Sequence, residues 1–216
     1  EKQERGFINM KSNKKAIAIL ITLLLCLASV GCQPATTSTQ DPPLTSTIEP
    51  GSSVLQNALD VVGLLKSQDM SGLVAYIHPE KGARFTPYGN VDTVNNQLLL
   101  ASQVSVLLSD TQTYLWGYYD GSGEPIQLSF SDYYDQFIYD VDFANPNLIG
   151  NNVLIGKGNT QINITEAYPD AVFVEFHFTG FDPQYDGIDW ESLRLVFEEV
   201  DDIWYLSGII HDQWTI

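Results

Sequence analysis

The chain has 216 residues, with 27 acidic against 10 basic side chains and a formal charge of −17. Five of the ten bases precede Cys32, so the remainder carries 25 acids against five bases, about −20. Such a surface repels phosphate backbones and anionic headgroups, which excludes nucleic-acid binding and peripheral electrostatic membrane attachment.

Met10 to Cys32 has the layout of a secretory signal. Lys11, Lys14 and Lys15 form a basic segment, Ala16–Leu27 is apolar, and small residues lead to Gly31-Cys32. The apolar run from Ala16 to Gly31 is 16 residues, short of the ~20 needed to span a bilayer. The terminal Cys32 resembles the lipobox of bacterial lipoproteins, with Ser29 where Leu is usual. That resemblance implies cleavage before Cys32 and a lipid on its sulfur. The expected divisions are 1–9, an upstream read-through before a start at Met10; 10–31, the signal; 32–52, a lipid-anchored tether; and 53–216, one domain. Cleavage removes Cys26 and lipidation consumes Cys32, so no disulfide is expected. Twelve of the twenty residues 33–52 are Ser, Thr or Pro. Such a run cannot order itself by burial and spans roughly 25 Å as a coil.

From Ser53 the periodicity predicts a helix carrying Val54, Ala58, Val61, Val62 and Leu65, with Ser53 as cap. A second helix is predicted over 70–77, capped by Asp69 and stopped at His78-Pro79. Residues 84–88 read as extended and 102–108 as helical. A hairpin joins 113–119 to 126–128 across Asp120-Gly121-Ser122-Gly123. Ser131 is the expected cap of a helix over 132–141. Strands are predicted at 153–155, 171–179, 192–200 and 204–211, the last two joined at Asp201-Asp202. In 171–179, Val172, Val174, Phe176 and Phe178 share one face, and Phe173, Glu175 and His177 the other. Pairing Glu199 with Trp204 places Leu193 opposite Ile210. Leu193, Leu195, Phe197, Trp204, Leu206 and Ile210 then lie on one buried face, with Arg194, Val196, Ile209 and His211 on the other.

Helices followed by a long antiparallel sheet define an α+β order. With the Trp204-Tyr205-Leu206 pattern, the chain resembles the NTF2-like (cystatin-like) superfamily over 53–216. This implies N-terminal helices packed on a bent antiparallel sheet, forming a cone. It is also similar to uncharacterised bacterial lipoproteins at His78-Pro79-Glu80-Lys81-Gly82, Arg84-Phe85, Phe181-Asp182-Pro183-Gln184-Tyr185 and Ile210-His211-Asp212-Gln213-Trp214.

The three histidines, His78, His177 and His211, lie 99 and 34 residues apart, far from H-E-x-x-H spacing, so a histidine zinc site is not expected. No G-x-S-x-G elbow or Walker A loop occurs, and no catalytic residue or cofactor is assigned. Asp182, Asp186 and Asp189 are the weak calcium candidates. The scarce cations are more informative. Lys66, Lys81, Arg84, Lys157 and Arg194 are the only ones after Cys32, and each Arg is expected to have carboxylate partners. Arg84 is read either as a loop-pinning group, clustered with His78, or as an anion-recognising group at a pocket mouth. His78, Arg84, Arg194 and His177 are the ligand-binding candidates. Trp116, Trp190 and Trp214 are candidate stacking surfaces or packing residues.

The expected function is therefore an extracytoplasmic domain held on the cell membrane by lipid at Cys32. It would bind a small molecule or a protein partner of the cell envelope. The alternatives are an enzyme with an isomerase- or dehydratase-type pocket, as the fold resemblance implies, and a structural subunit of an envelope complex.

Overall fold

The computed structural model describes residues 50–215, and the signal, Cys32 and nearly all of the tether lie outside them. No helix among the described residues is long and apolar enough to cross a membrane.

Helix α1 (Val54–Lys66) begins at Ser53, whose hydroxyl accepts the Gln56 N–H. It buries Ala58, Val61, Val62 and Leu65 as the spacing requires. Asn57 is also buried. Its side-chain amide donates to the Gly51 and Trp204 carbonyls at 2.9 Å each, tying the helix to the sheet. Asp69 caps α2 (Met70–Leu73), which tightens into a 3₁₀ turn (Val74–Tyr76) before His78-Pro79. Strands β1 (Ala83–Thr86) and β2 (Leu98–Leu99) follow. The helix expected over 102–108 is broken into α3 (Ala101–Val104) and a 3₁₀ turn (Leu107–Ser109). Strands β3 (Thr113–Tyr118) and β4 (Pro125–Ser129) form the expected hairpin as a separate two-stranded sheet. Helix α4 (Phe130–Phe137) starts two residues before the predicted point. Its cap is Ser129, not Ser131, because the Ser129 hydroxyl accepts the Asp132 N–H.

Strand β5 (Leu148–Asn151), α5 (Ile164–Ala167), β6 (Val172–Phe178), β7 (Glu191–Val200) and β8 (Ile203–Gln213) complete the fold. The strand expected at 153–155 is instead β5. The chain turns away at Asn152, which has φ 53°. The Ile155 and Gly156 N–H groups donate to the Glu175 carboxylate at 2.8 and 2.9 Å, so a side chain replaces a ladder partner there.

The main sheet has the order β2-β1-β8-β7-β6-β5. It is mixed, not wholly antiparallel as expected, because β1 runs parallel to β8. The architecture is α+β. One face carries Val174, Phe176, Leu193, Leu195, Phe197, Leu206 and Ile209 and shares a core with α1 and α4. In that core Trp116 of β3 stacks on Tyr133 of α4 at 4.1 Å between centroids. The other face is covered by the segment 154–171, where Ile164 packs with Val91, Phe173, Val196 and Ile210. Both faces of β6–β8 are therefore buried.

The β7–β8 register departs from the prediction in one decisive way. Glu199↔Trp204 and Phe197↔Leu206 pair as expected, but the next pair is Val196↔Gly208. Ser207 is the extra residue of a β-bulge. Beyond it Leu193 faces His211, and Arg194 faces Ile210. Ile209 and His211 thus join the helix-covered face, while Ile210 and Asp212 move to the other. The predicted face was inverted from residue 208 onward, because a side-chain period of two makes one inserted residue swap every position.

The hairpin closes through Asp201 and Asp202, both left-handed with φ of 52° and 63°. Such a two-residue turn favours glycine at its second position. Asp202→Gly is expected to stabilise the protein by about 0.5–1 kcal/mol, read as a rise of about 1–4 °C in melting temperature.

Candidate functional site

Two polar clusters lie on opposite faces of the same three strands. The first is fully enclosed. Arg194 is 0 % exposed and is held between Asp212 (Nη1 to Oδ2, 2.7 Å) and Glu175 (Nη2 to Oε1, 3.1 Å), with a further bond to the Gly156 carbonyl at 2.9 Å. Glu175 also accepts the two backbone N–H groups of Ile155 and Gly156, and Asp212 accepts that of Gly89. Burial nevertheless pushes the Asp212 carboxyl up from its ordinary value, against the opposing pull of Arg194.

The Ser192 hydroxyl donates to Glu175 at 2.7 Å, and His177 Nδ1 lies 2.8 Å from the same hydroxyl. With the serine proton directed at Glu175, His177 Nδ1 must be the donor to Ser192. The polarity is opposite to that of a base activating a nucleophile, and Ser192 is 0 % exposed. Burial lowers the His177 pKa, keeping the ring neutral. This network fastens the segment 154–156 onto the sheet.

The second cluster is at the edge of the helix-covered face. His211 of β8, Glu191 at the start of β7 and Asp140 just beyond α4 bring their ligating atoms within 4.8 Å of one another. Among the described residues it is the one grouping of three metal-competent side chains. His211 is fully buried, its ring edge-on to Phe137 and Phe143. Its Nδ1 is 3.2 Å from the Pro87 carbonyl, an acceptor only, so Nδ1 carries a proton. Nε2 lies 3.1 Å from Asp140 Oδ2.

Burial works against charge on His211, but the Asp140 hydrogen bond and charge outweigh it and raise the pKa. Burial likewise opposes ionisation of Asp140, and His211 outweighs it, holding that carboxyl below its usual range. Glu191 is pushed up to about 7, first by burial and then by the Asp140 charge. One of its oxygens, Oε2, is buried, and the carboxyl shares a hydrogen bond with that of Asp140. Asp140 also lines an open cleft of about 600 Å³ with Asp132, Asp135, Gln136, Tyr119 and Gln213.

The four residues singled out for ligand binding are not brought to one place. His177 and Arg194 belong to the enclosed network. His78 caps its own turn: Nδ1 accepts the N–H groups of Glu80 and Lys81 at 3.2 and 3.1 Å. Arg84 donates to the Thr93 and Asn96 carbonyls at 3.1 and 3.0 Å, pinning that loop. These partners are carbonyls, not the carboxylates expected, while Asp92 lies close enough for the Arg84 charge to help hold that carboxyl below its usual range. Arg84 lines a cleft of about 450 Å³ with Lys81, Leu98, Leu100, Tyr168 and Glu198. Lys81 pairs with Glu198 at its edge.

Asp182, Asp186 and Asp189 form no grouping with ligating atoms within 4.8 Å of one another among the described residues. Asp182 caps a 3₁₀ turn through Gln184 N, and Asp189 accepts the N–H groups of Phe181 and Asp182. Their oxygens organise a loop. Trp116 is buried in the core, and Trp190 packs over His177 and against Gly156. Trp214 is exposed beside Phe181, Tyr185 and Ile188.

Asp140 and Glu191 escaped the sequence reading. Asp140 is one of 25 acids after Cys32, and nothing local distinguishes it. Simple alternation along β8 puts His211 on the opposite face, and the bulge at Ser207 reverses it. No family model, curated protein or solved structure matches the chain.

Two outcomes follow from these clusters. Arg194→Ala leaves two buried carboxylates without their cation and is expected to cost about 3–5 kcal/mol, read from urea unfolding; Lys66→Ala, at an exposed pair with Asp142, should cost under about 1 kcal/mol. The second outcome concerns pH in chelator-treated protein. Glu191, raised from 4.5 to about 7, contributes stability below pH 4.5 that is lost as pH rises to 7. His211, raised above 6.5, loses its contribution as pH rises through its folded value. Asp140, lowered below 3.8, loses its contribution only in more acidic solution. Stability should therefore fall between pH 5 and 8. The part removed by Glu191→Gln should be about 1–2 kcal/mol after solvent screening at this partly open edge.

Proposed function

We propose that the protein is a lipid-anchored extracytoplasmic binding protein. Its N-terminal signal and Cys32 supply the membrane attachment, and the Ser/Thr/Pro-rich tether holds the domain away from the bilayer. The strong acidity supports lipid, not charge, as the means of attachment. The ligand site in this reading is the cleft lined by Arg84, Lys81, Leu98, Leu100 and Tyr168.

The observation that carries it is the placement of cations. Two of the five bases after Cys32 line this one cleft, where Glu80 and Glu198 also lie and Lys81 is paired with Glu198. Arg84 is oriented by two carbonyls, with Asp92 as a charge neighbour, beside leucine and tyrosine side chains. That combination suits a small amphipathic molecule with an anionic group. The finer fold reading, an NTF2-like cone, is part of the same proposal and is supported by α1 and α4 sharing one core with the sheet.

A second reading, an acid–base enzyme, is favoured by one specific observation. Asp140, Glu191 and His211 meet beside an open cleft with their pKa values pushed apart.

Two measurements test the proposal. Intact-mass analysis of the exported chain should give a species starting at Cys32 with acyl mass added, and Cys32→Ala should abolish the added mass. An unmodified wild type would overturn the anchor. Native mass spectrometry should show a small molecule retained by the wild type and lost from Arg84→Met. Retention by Arg84→Met would place the ligand elsewhere.

A further inference from the structure

The Asp140–Glu191–His211 cluster has features that a salt-bridged histidine does not require. His211 is fully buried, fixed in plane by Phe137 and Phe143, and anchored through Nδ1 to the Pro87 carbonyl. This is the outer-sphere bond that selects one tautomer of a metal-binding imidazole and aims its Nε2 lone pair at the ion. Nε2 faces Asp140 Oδ2 at 3.1 Å. Glu191 adds a third ligating atom within 4.8 Å of both. Among the described residues its carboxyl meets no donor of another residue type and shares a hydrogen bond with Asp140 alone, and two carboxyls set this close favour a cation between them.

The three groups come from β8, β7 and the end of α4, so the fold itself sets their separation. Ligand atoms around a tetrahedral ion with bonds of about 2.0–2.2 Å lie roughly 3.3 Å apart. The Asp140–His211 pair already has that spacing, and the Glu191 oxygen lies within 4.8 Å of both. Asp140 opens onto the cleft that also carries Asp132 and Asp135, a negative field that concentrates cations.

We propose that Asp140, Glu191 and His211 form a three-ligand site for a divalent first-row transition ion of the Zn²⁺ class, with its remaining coordination turned to the acidic cleft. The mixed nitrogen and oxygen donor set separates it from a calcium or magnesium site, where hard cations take oxygen ligands. One nitrogen, two carboxylates and an accessible fourth position make an open site, of the kind that binds a water or a ligand group, not a closed structural one. The site uses none of the residues of the Arg84 cleft, so either can fail without the other.

The test uses the full chain in detergent, stripped by chelator and titrated with Zn²⁺ or Co²⁺ in millimolar Mg²⁺ to occupy surface carboxylates. The expected result is one equivalent bound with a micromolar or tighter Kd. Asp140→Asn and Glu191→Gln, both at partly open positions, should each weaken it at least tenfold while the circular dichroism stays unchanged. Because the chain has three histidines, the imidazole signal broadened or shifted by Co²⁺ can be assigned directly. It should be that of His211, with His78 and His177 unaffected. Binding that is not saturable near one equivalent overturns the proposal. So does binding indifferent to both variants, or a Co²⁺ effect that misses His211.

Discussion

A single unpaired residue, Ser207, organises this protein. The last hairpin starts in the register that its turn dictates and holds it from Ile203 to Leu206. The bulge then shifts the rest of β8 by one position. From there every side chain appears on the face opposite to simple alternation. His211 is delivered to the helix-covered side, where Asp140 and Glu191 meet it. Asp212 is delivered to the reverse side, where Arg194 needs a carboxylate. Without the bulge, His211 would lie among the residues around Arg194, and both polar clusters would lose a member.

The two clusters divide the work of polar groups in a buried sheet. The Arg194 network is closed: its two carboxylates accept backbone N–H groups from Ile155, Gly156 and Gly89 as well as the guanidinium. Its role is positional. It replaces ladder bonds for a segment that leaves the sheet after Asn152. A buried ion pair of this kind specifies an arrangement more than it adds net stability, since desolvation offsets most of the attraction. Close packing enforces the same arrangement, for a Cβ on Gly156 would come within 2.6 Å of the Ser192 hydroxyl. The Asp140–Glu191–His211 cluster is open at one side, sets two carboxyls against one another and shares a wall with an acidic cleft. Access to solvent separates the two clusters, since the enclosed one also holds a polar atom without a hydrogen-bond partner, Arg194 Nε.

Charge scarcity runs through both. With five bases after Cys32 against 25 acids, four of the five cations have a defined structural task. Arg194 is enclosed, Lys66 joins α1 to Asp142, Lys81 pairs with Glu198, and Arg84 holds the loop around Thr93 and Asn96. The remaining carboxylates largely face solvent, or cap turns as Asp69 and Asp182 do. A surface of this sign favours encounter with cations, and the one metal-competent grouping among the described residues, of which only His211 is buried, lies at its edge.

By itself the sequence determined what depends on near neighbours. The Ser53 and Asp69 caps, the α1 stripe, the stop at His78-Pro79, the β3–β4 hairpin and the Asp201-Asp202 turn all rest on contacts a few residues apart. Local chemistry there is sufficient cause. The α+β class followed from the order of those elements. Only the tertiary structure decided the parallel β1–β8 pairing, the strand at 148–151 in place of 153–155, and the burial of both sheet faces. Each depends on partners tens of residues distant, such as Glu175 replacing a ladder for Ile155. The candidate metal cluster is the extreme case. Asp140, Glu191 and His211 are spread over 72 positions and carry no spacing motif, and the face on which His211 emerges was set by a bulge that no local pattern announces.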